Sequence, residues 1–189
     1  MYLKLKKETI MKLFSKICVL VLCVANGVNT QAQQNKMDEP IRVDWDAQGK
    51  FENKIKELTG LGEWSYLELY IDQNNRQESI KFLSNKNVKN DRLMMKFNCI
   101  EPNAKPSFLI EDKRGLDRLS SNDKKEIDIL LDGKSYKNPF IQTSDQLEKF
   151  QQALMTAKII QFNADTFGSP FKFSNQNAEI TNKKVNCET

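Results

Sequence analysis

Few residue types in this chain could do chemistry. There is no histidine, which removes Ser-His-Asp and Cys-His catalysis and histidine-based metal sites. The seven glycines are scattered, and none completes a G-x-G-x-x-G or P-loop pattern. Carboxylates remain. "EDKRGLD" at 111–117 and "DWD" at 44–46 supply Asp and Glu. Glycoside hydrolysis needs two such groups converging on a cleft, whereas acidic residues in loops are usually only solvated. No catalytic residue, metal or cofactor is expected. That leaves cysteines: Cys99 and Cys187, 88 residues apart, and Cys18 and Cys23 near the start.

The N-terminus decides how the cysteines are read. Five lysines from Lys4 to Lys16 precede the apolar run "ICVLVLCVA", and the polar stretch "NGVNTQA" follows. This is the pattern of a signal peptide over residues 1–32, with Thr30 and Ala32 as the small-residue cleavage signal. The run is far shorter than the ~20 residues a membrane-spanning helix needs. Lipoprotein processing at Cys23 is disfavoured by the large Leu22 before it. The expectation is therefore a periplasmic or secreted protein, cleaved after Ala32, with no stable membrane span. Cys18 and Cys23 leave with the signal. In an oxidising compartment Cys99 and Cys187 then read as a disulfide; the alternative is two unrelated thiols, one buried in a strand. A redox pair is not expected without Cys-x-x-Cys.

Charge narrows the partner. The whole chain has 29 basic and 25 acidic residues, a formal +4, but five lysines and one glutamate lie before residue 33. The remainder is close to neutral, so bulk charge gives no support to nucleic-acid binding. Trp45, in the polar "RVDWD", has no evident core role and is a candidate interface anchor. The charge-dense stretch 111–126 reads as a solvated loop. As a partner-binding loop it would offer Arg114, Asp117 and Arg118.

The elements that must position these residues follow from periodicity. Residues 33–50 read as a polar leader and 51–189 as one α+β domain. "FENKIKELTG" spaces Phe51, Ile55 and Leu58 as a short amphipathic helix with Gly60 beyond its end. "EWSYLELYID", "SIKFLS", "RLMMKFNC" and "SFLIED" read as strands. In the third of these, Leu93, Met95, Phe97 and Cys99 share one face by the period of two. "IDILLDGKSYKNPF" reads as a hairpin turning at Asp132-Gly133. "TSDQLEKFQQALMTAK" is the clearest helix, near 144–157, with a capping box from Thr143 to Gln146. "IIQFNA" and "FKFS" return as strands, and "NAEITNKKVNC" suggests a last polar helix carrying Cys187 to the sheet. The sum is an antiparallel, β-sandwich-like single domain with a short N-terminal helix and one longer helix.

The order of these elements is itself a signature. "EWSYLELY", "LMMKFNC", "IDILLDGK", "PFIQTSDQLEKFQQALMTAK", "IIQF", "FKFS" and a near-terminal Cys follow one another over residues 62–187. This resembles periplasmic sandwich proteins of the type VI secretion-associated VasI kind and, more loosely, the invasion-associated locus B family. Asn98 stands where an arginine is usual before the mid-chain Cys. The resemblance implies a sandwich, the periplasm and an accessory role in the envelope. The functional expectation is a non-enzymatic, protein-binding factor linked to secretion or host interaction. The alternatives are an inhibitor or immunity protein against a toxic enzyme, a sandwich binding sugar or lipid, and a small carboxylate hydrolase.

Overall fold

The structure, a computed structural model, describes residues 39–73, 76–123, 126–165 and 169–187. The expected signal segment, 1–32, and residues 33–38 lie outside the described residues. From Pro40 onward the chain forms one compact unit. It is β-rich, with several mostly antiparallel sheets and, among the described residues, two α-helices.

The first sheet has six strands. β1 (Ile41–Asp44), β2 (Ser65–Gln73), β3 (Arg76–Lys86), β4 (Arg92–Lys96), β6 (Ser107–Glu111) and β7 (Asp117–Ser120) lie side by side in that order. All neighbours pair antiparallel except β1 with β2, which run parallel. Leu67 and Phe82 face α1 (Lys50–Leu58) and pack with Val43 and Ile55. Tyr66 pairs with Leu83, Leu83 with Met95, and Met95 with Phe108, so these four share the opposite face. Both faces of the central strands are therefore covered. This is why Tyr66 and Leu67, adjacent in sequence, are both buried.

The second sheet has four strands in the order β11 (Phe171–Ser174), β10 (Ile159–Ala164), β8 (Ile127–Leu131) and β9 (Lys134–Ser135). β8 and β9 turn through Asp132 (φ 48°) and Gly133 (φ 86°), the left-handed pair that the Asp-Gly sequence predicts. Its buried Ile129, Ile160, Phe162 and Phe173 meet the first sheet through aromatic rings: the Phe108 and Phe162 centroids are 5.0 Å apart. α2 (Ser144–Leu154) adds Phe150 and Leu154 to the same interior. Its start carries the expected capping box, with the Thr143 N–H donating to Gln146 Oε1 at 3.2 Å.

The chain closes through a parallel pair, β5 (Asn98–Cys99) with β12 (Lys184–Val185). Beyond it Cys99 and Cys187 stand at disulfide distance, S–S 2.12 Å and Cα–Cα 5.3 Å. No helix among the described residues is long and apolar enough to cross a membrane.

Three readings need correction. The polar leader does not extend to residue 50. Ile41–Asp44 is a strand, and its one inward side chain, Val43, is 4% exposed. A four-residue edge strand burying one side chain leaves too short a periodic signal to read. The charged stretch 111–126 likewise contains β7, held by the single buried Leu119. The last polar helix is a 3₁₀ turn, Ala178–Asn182, with Ala178, Ile180 and Thr181 buried.

Candidate functional site

The local feature that builds a site is the strap "GLGEW" between α1 and β2. The Gly62 N–H donates to the Lys86 carbonyl at 2.7 Å, and the Lys86 N–H to the Gly60 carbonyl at 2.9 Å. On its other side the Gln176 N–H donates to the Gly62 carbonyl at 3.1 Å, and the Trp64 N–H to the Gln176 carbonyl at 3.0 Å. The strap thus ties the end of β3, in one sheet, to the residues after β11, in the other. Gly62 has φ +75°, and a Cβ placed on it would stand 3.1 Å from Ser174 Cβ; both facts favour glycine there.

Trp64 anchors the strap from inside. It is 2% exposed, and its Nε1–H donates to Asn175 Oδ1 at 2.6 Å. Asn175 Nδ2 in turn donates to the carbonyls of Leu154 and Ala157, at 2.7 and 2.8 Å, closing the C-terminal end of α2. With Trp64 held inward and a glycine on each side, Leu61 is left outside, 61% exposed.

Leu61 is not alone. Val88, 86% exposed, and Ile159, 41% exposed, stand with it around a groove of about 360 Å³. Each sits on backbone that is pinned. Val88 rides a tight turn in which Asn87 Oδ1 accepts the N–H groups of Lys89 and Asp91, both at 2.9 Å. Ile159 opens β10, where Asp132 accepts its N–H at 2.9 Å. Phe173, Ser174 and Gln176 line it as well, as do Lys86 and Lys172; among the described residues, no carboxylate does.

Lys86 is shared with a second cleft of about 240 Å³ beneath the C-terminal end of α1, lined also by Lys56, Arg92, Glu111, Asp112 and Lys113. Its two carboxylates are engaged by arginines. Arg92 Nε–H donates to Glu111 at 3.0 Å. Arg114 pairs with Asp112 at 2.9 Å. The Arg114 side chain, with the N–H groups of Arg114 and Leu116, holds the Asp112 carboxyl down to about 2. The cleft and the groove are therefore lined by more cationic than anionic side chains. Lys86 Nζ–H donates to the Lys56 carbonyl at 3.0 Å, as suits a cation at a helix C-terminus.

The chain matches no protein-family model, no curated protein and no solved structure. A functional reading therefore rests on the geometry.

The residues singled out from sequence lie elsewhere. Trp45 is half-buried, its ring 6.3 Å from that of Phe51, and its N–H donates to the Tyr70 carbonyl at 2.8 Å. It follows β1, whereas Asp117 and Arg118 lie on β7, at the opposite edge of the sheet. Five inter-strand spacings separate those edges, roughly 24 Å. Arg114 closes its own turn on Asp112. Asp117 and Arg118 are exposed. The structure does not bring Trp45 and this group together. Nor, among the described residues, do three or more His, Cys, Asp or Glu side chains gather where they could hold a metal ion. The groove was missed because its walls come from five separate stretches. The one local signal was a leucine framed by two glycines, three residues before a buried tryptophan.

Proposed function

We propose that this is an exported binding protein, a β-sandwich that holds a protein partner at the groove between its two sheets and performs no catalysis on it. The observation that carries the reading is the cluster of Leu61, Val88 and Ile159. Three aliphatic side chains exposed around one cavity, on rigid backbone, are an arrangement associated with interaction sites. Contact between Phe108 and Phe162 supports the sandwich. Export is supported by the signal-like pattern before Gln33 and by Cys99 and Cys187 at bonding distance. The order of elements that resembles VasI-like proteins and the locus B family agrees with an envelope accessory role.

The test is crosslinked capture of tagged protein from its native cell envelope, read by mass spectrometry. It compares wild type, the double variant Leu61→Asp/Val88→Asp and the pair Trp45→Ala/Arg114→Ala. One stoichiometric partner is expected, retained by Trp45→Ala/Arg114→Ala and reduced at least tenfold by the groove variant. Its identity separates a secretion accessory from an inhibitor of a toxic enzyme. Loss on Trp45→Ala/Arg114→Ala alone would move the site to the sheet edges. Absence of any partner would sink the binding reading.

A further inference from the structure

We infer that the groove receives an extended, acidic and aliphatic segment of the partner, which adds to the outer edge of β11 as a further strand. This rests on the binding reading above and specifies how the contact is made.

β11 is the terminal strand of its sheet, paired with β10 alone. Alternate residues of such a strand turn their backbone groups toward and away from the neighbour. The phase is given by three contacts. The Asn175 N–H donates to the Lys158 carbonyl, on the β10 side. Gln176 exchanges its bonds with the strap, on the outer side. The Ser174 carbonyl accepts Asn85 Nδ2 at 2.7 Å, also away from β10. Residues 174 and 176 therefore face outward, and Lys172 is next in the series. Its N–H and C=O point to the outer edge, where Lys172 lines the groove. The strap already acts as a short added strand beside Gln176. The Ser174 carbonyl is already held by Asn85, so an incoming segment would pair at Lys172, roughly 7 Å further along the same edge.

Side chains set the composition. Leu61, Val88 and Ile159 offer apolar contact to alternate side chains of the segment, the usual source of specificity in strand addition. Lys172 and Lys86, with no carboxylate among the described lining residues, and the cationic surplus of the adjoining cleft, where Lys56, Lys86, Arg92 and Lys113 outnumber Glu111 and Asp112, favour acidic residues between them. Lysine on an edge strand also deters pairing with a second copy. An acidic partner strand neutralises that guard, where a copy of this chain would not.

The experiment uses synthetic hexapeptides on the disulfide-intact protein. One alternates Glu and Val, one alternates Lys and Val, and one is the Glu/Val peptide N-methylated at alternate residues. Binding is read by fluorescence anisotropy and by the Lys172 amide resonance. The Glu/Val peptide is expected to bind at least tenfold tighter than either other peptide and to protect the Lys172 amide from exchange. Lys172→Pro, which removes the outer N–H, should weaken it at least tenfold, and Lys172→Glu, which keeps the backbone intact, should do the same through charge. Equal binding of the Glu/Val and N-methylated peptides would overturn strand addition, and equal binding of the Glu/Val and Lys/Val peptides would overturn the acidic preference. If no peptide binds while partner capture still depends on Leu61 and Val88, a folded surface docks there and this inference fails. The binding reading itself falls only if capture fails.

Discussion

Asn175 joins three elements through one amide. It accepts from Trp64 on the strap and donates to two carbonyls at the end of α2, and it is 6% exposed. Truncating it strands an indole N–H and two carbonyls away from water, and each such group costs about 1–3 kcal/mol. Asn175→Ala should therefore destabilise the fold by about 3 kcal/mol in urea unfolding, with the strap loosening first. Asn175→Asp keeps the acceptor but turns a buried carboxylate oxygen onto the two carbonyls, and should recover nothing at neutral pH. A loss under about 1 kcal/mol for the alanine variant would mean that water replaces the side chain and that the strap is held by its backbone bonds alone. Nothing in the sequence around Asn175 marks it out: its role comes from chain segments more than a hundred residues apart meeting at one point.

At the scale of elements, the turn 112–116 shows how a charged segment can be ordered by its own charges. Asp112 accepts the N–H groups of Arg114 and Leu116, at 2.8 and 3.2 Å, and the Arg114 guanidinium. Its carboxyl, depressed from 3.8 to about 2, is charged throughout the neutral range. A depressed carboxylate stabilises the folded turn above its unfolded pKa, and that contribution fades as pH falls through the folded one. The turn should therefore hold down to about pH 4 and loosen between there and about pH 2. A carbon-detected titration should place the Asp112 midpoint near 2, and Arg114→Ala should raise it toward 3.8. A midpoint unmoved by that substitution would exclude the pairing.

Legibility at this scale followed the length of the repeat. "RLMMKFNC" alternates for four periods, and its faces were readable. So were the Asp-Gly hairpin and the capped helix, because turn and cap chemistry is local. β1 and β7 bury one side chain each, Val43 and Leu119, so their charged neighbours hid them. The groove gave almost no signal, since Leu61, Val88 and Ile159 meet only through the pairing of β3 with the strap and of β10 with β11.

Across the whole molecule, the tail is secured repeatedly. Val185 pairs with Cys99. The Asn186 N–H donates to the Lys81 carbonyl at 2.9 Å, and the Tyr66 hydroxyl donates to the Lys184 carbonyl at 2.9 Å. Glu101 accepts the Cys187 N–H at 3.1 Å, and that bond leads the set that keeps its carboxyl below the usual range. Linking Cys99 to Cys187 over 88 residues stabilises the fold by roughly 4 to 5 kcal/mol in the chain-entropy account. Cys99→Ser/Cys187→Ser should lose about that much in guanidinium unfolding, and a reductant should reproduce the loss in the native chain. A drop under about 1 kcal/mol would show that the hydrogen bonds suffice to hold the tail.

The strap also orders events during folding. Its second set of partners, at Gln176, is made only once nearly the whole chain is available to fold. The six strands of the first sheet, by contrast, all lie between residues 41 and 120. A chain truncated before Phe171 would possess no groove, because Lys172, Phe173, Ser174 and Gln176 are part of its lining. Affinity for a partner is then a property that switches on late, with the closing of the second sheet over the face that carries Tyr66, Leu83, Met95 and Phe108. Premature products would be silent rather than competing for the same partner.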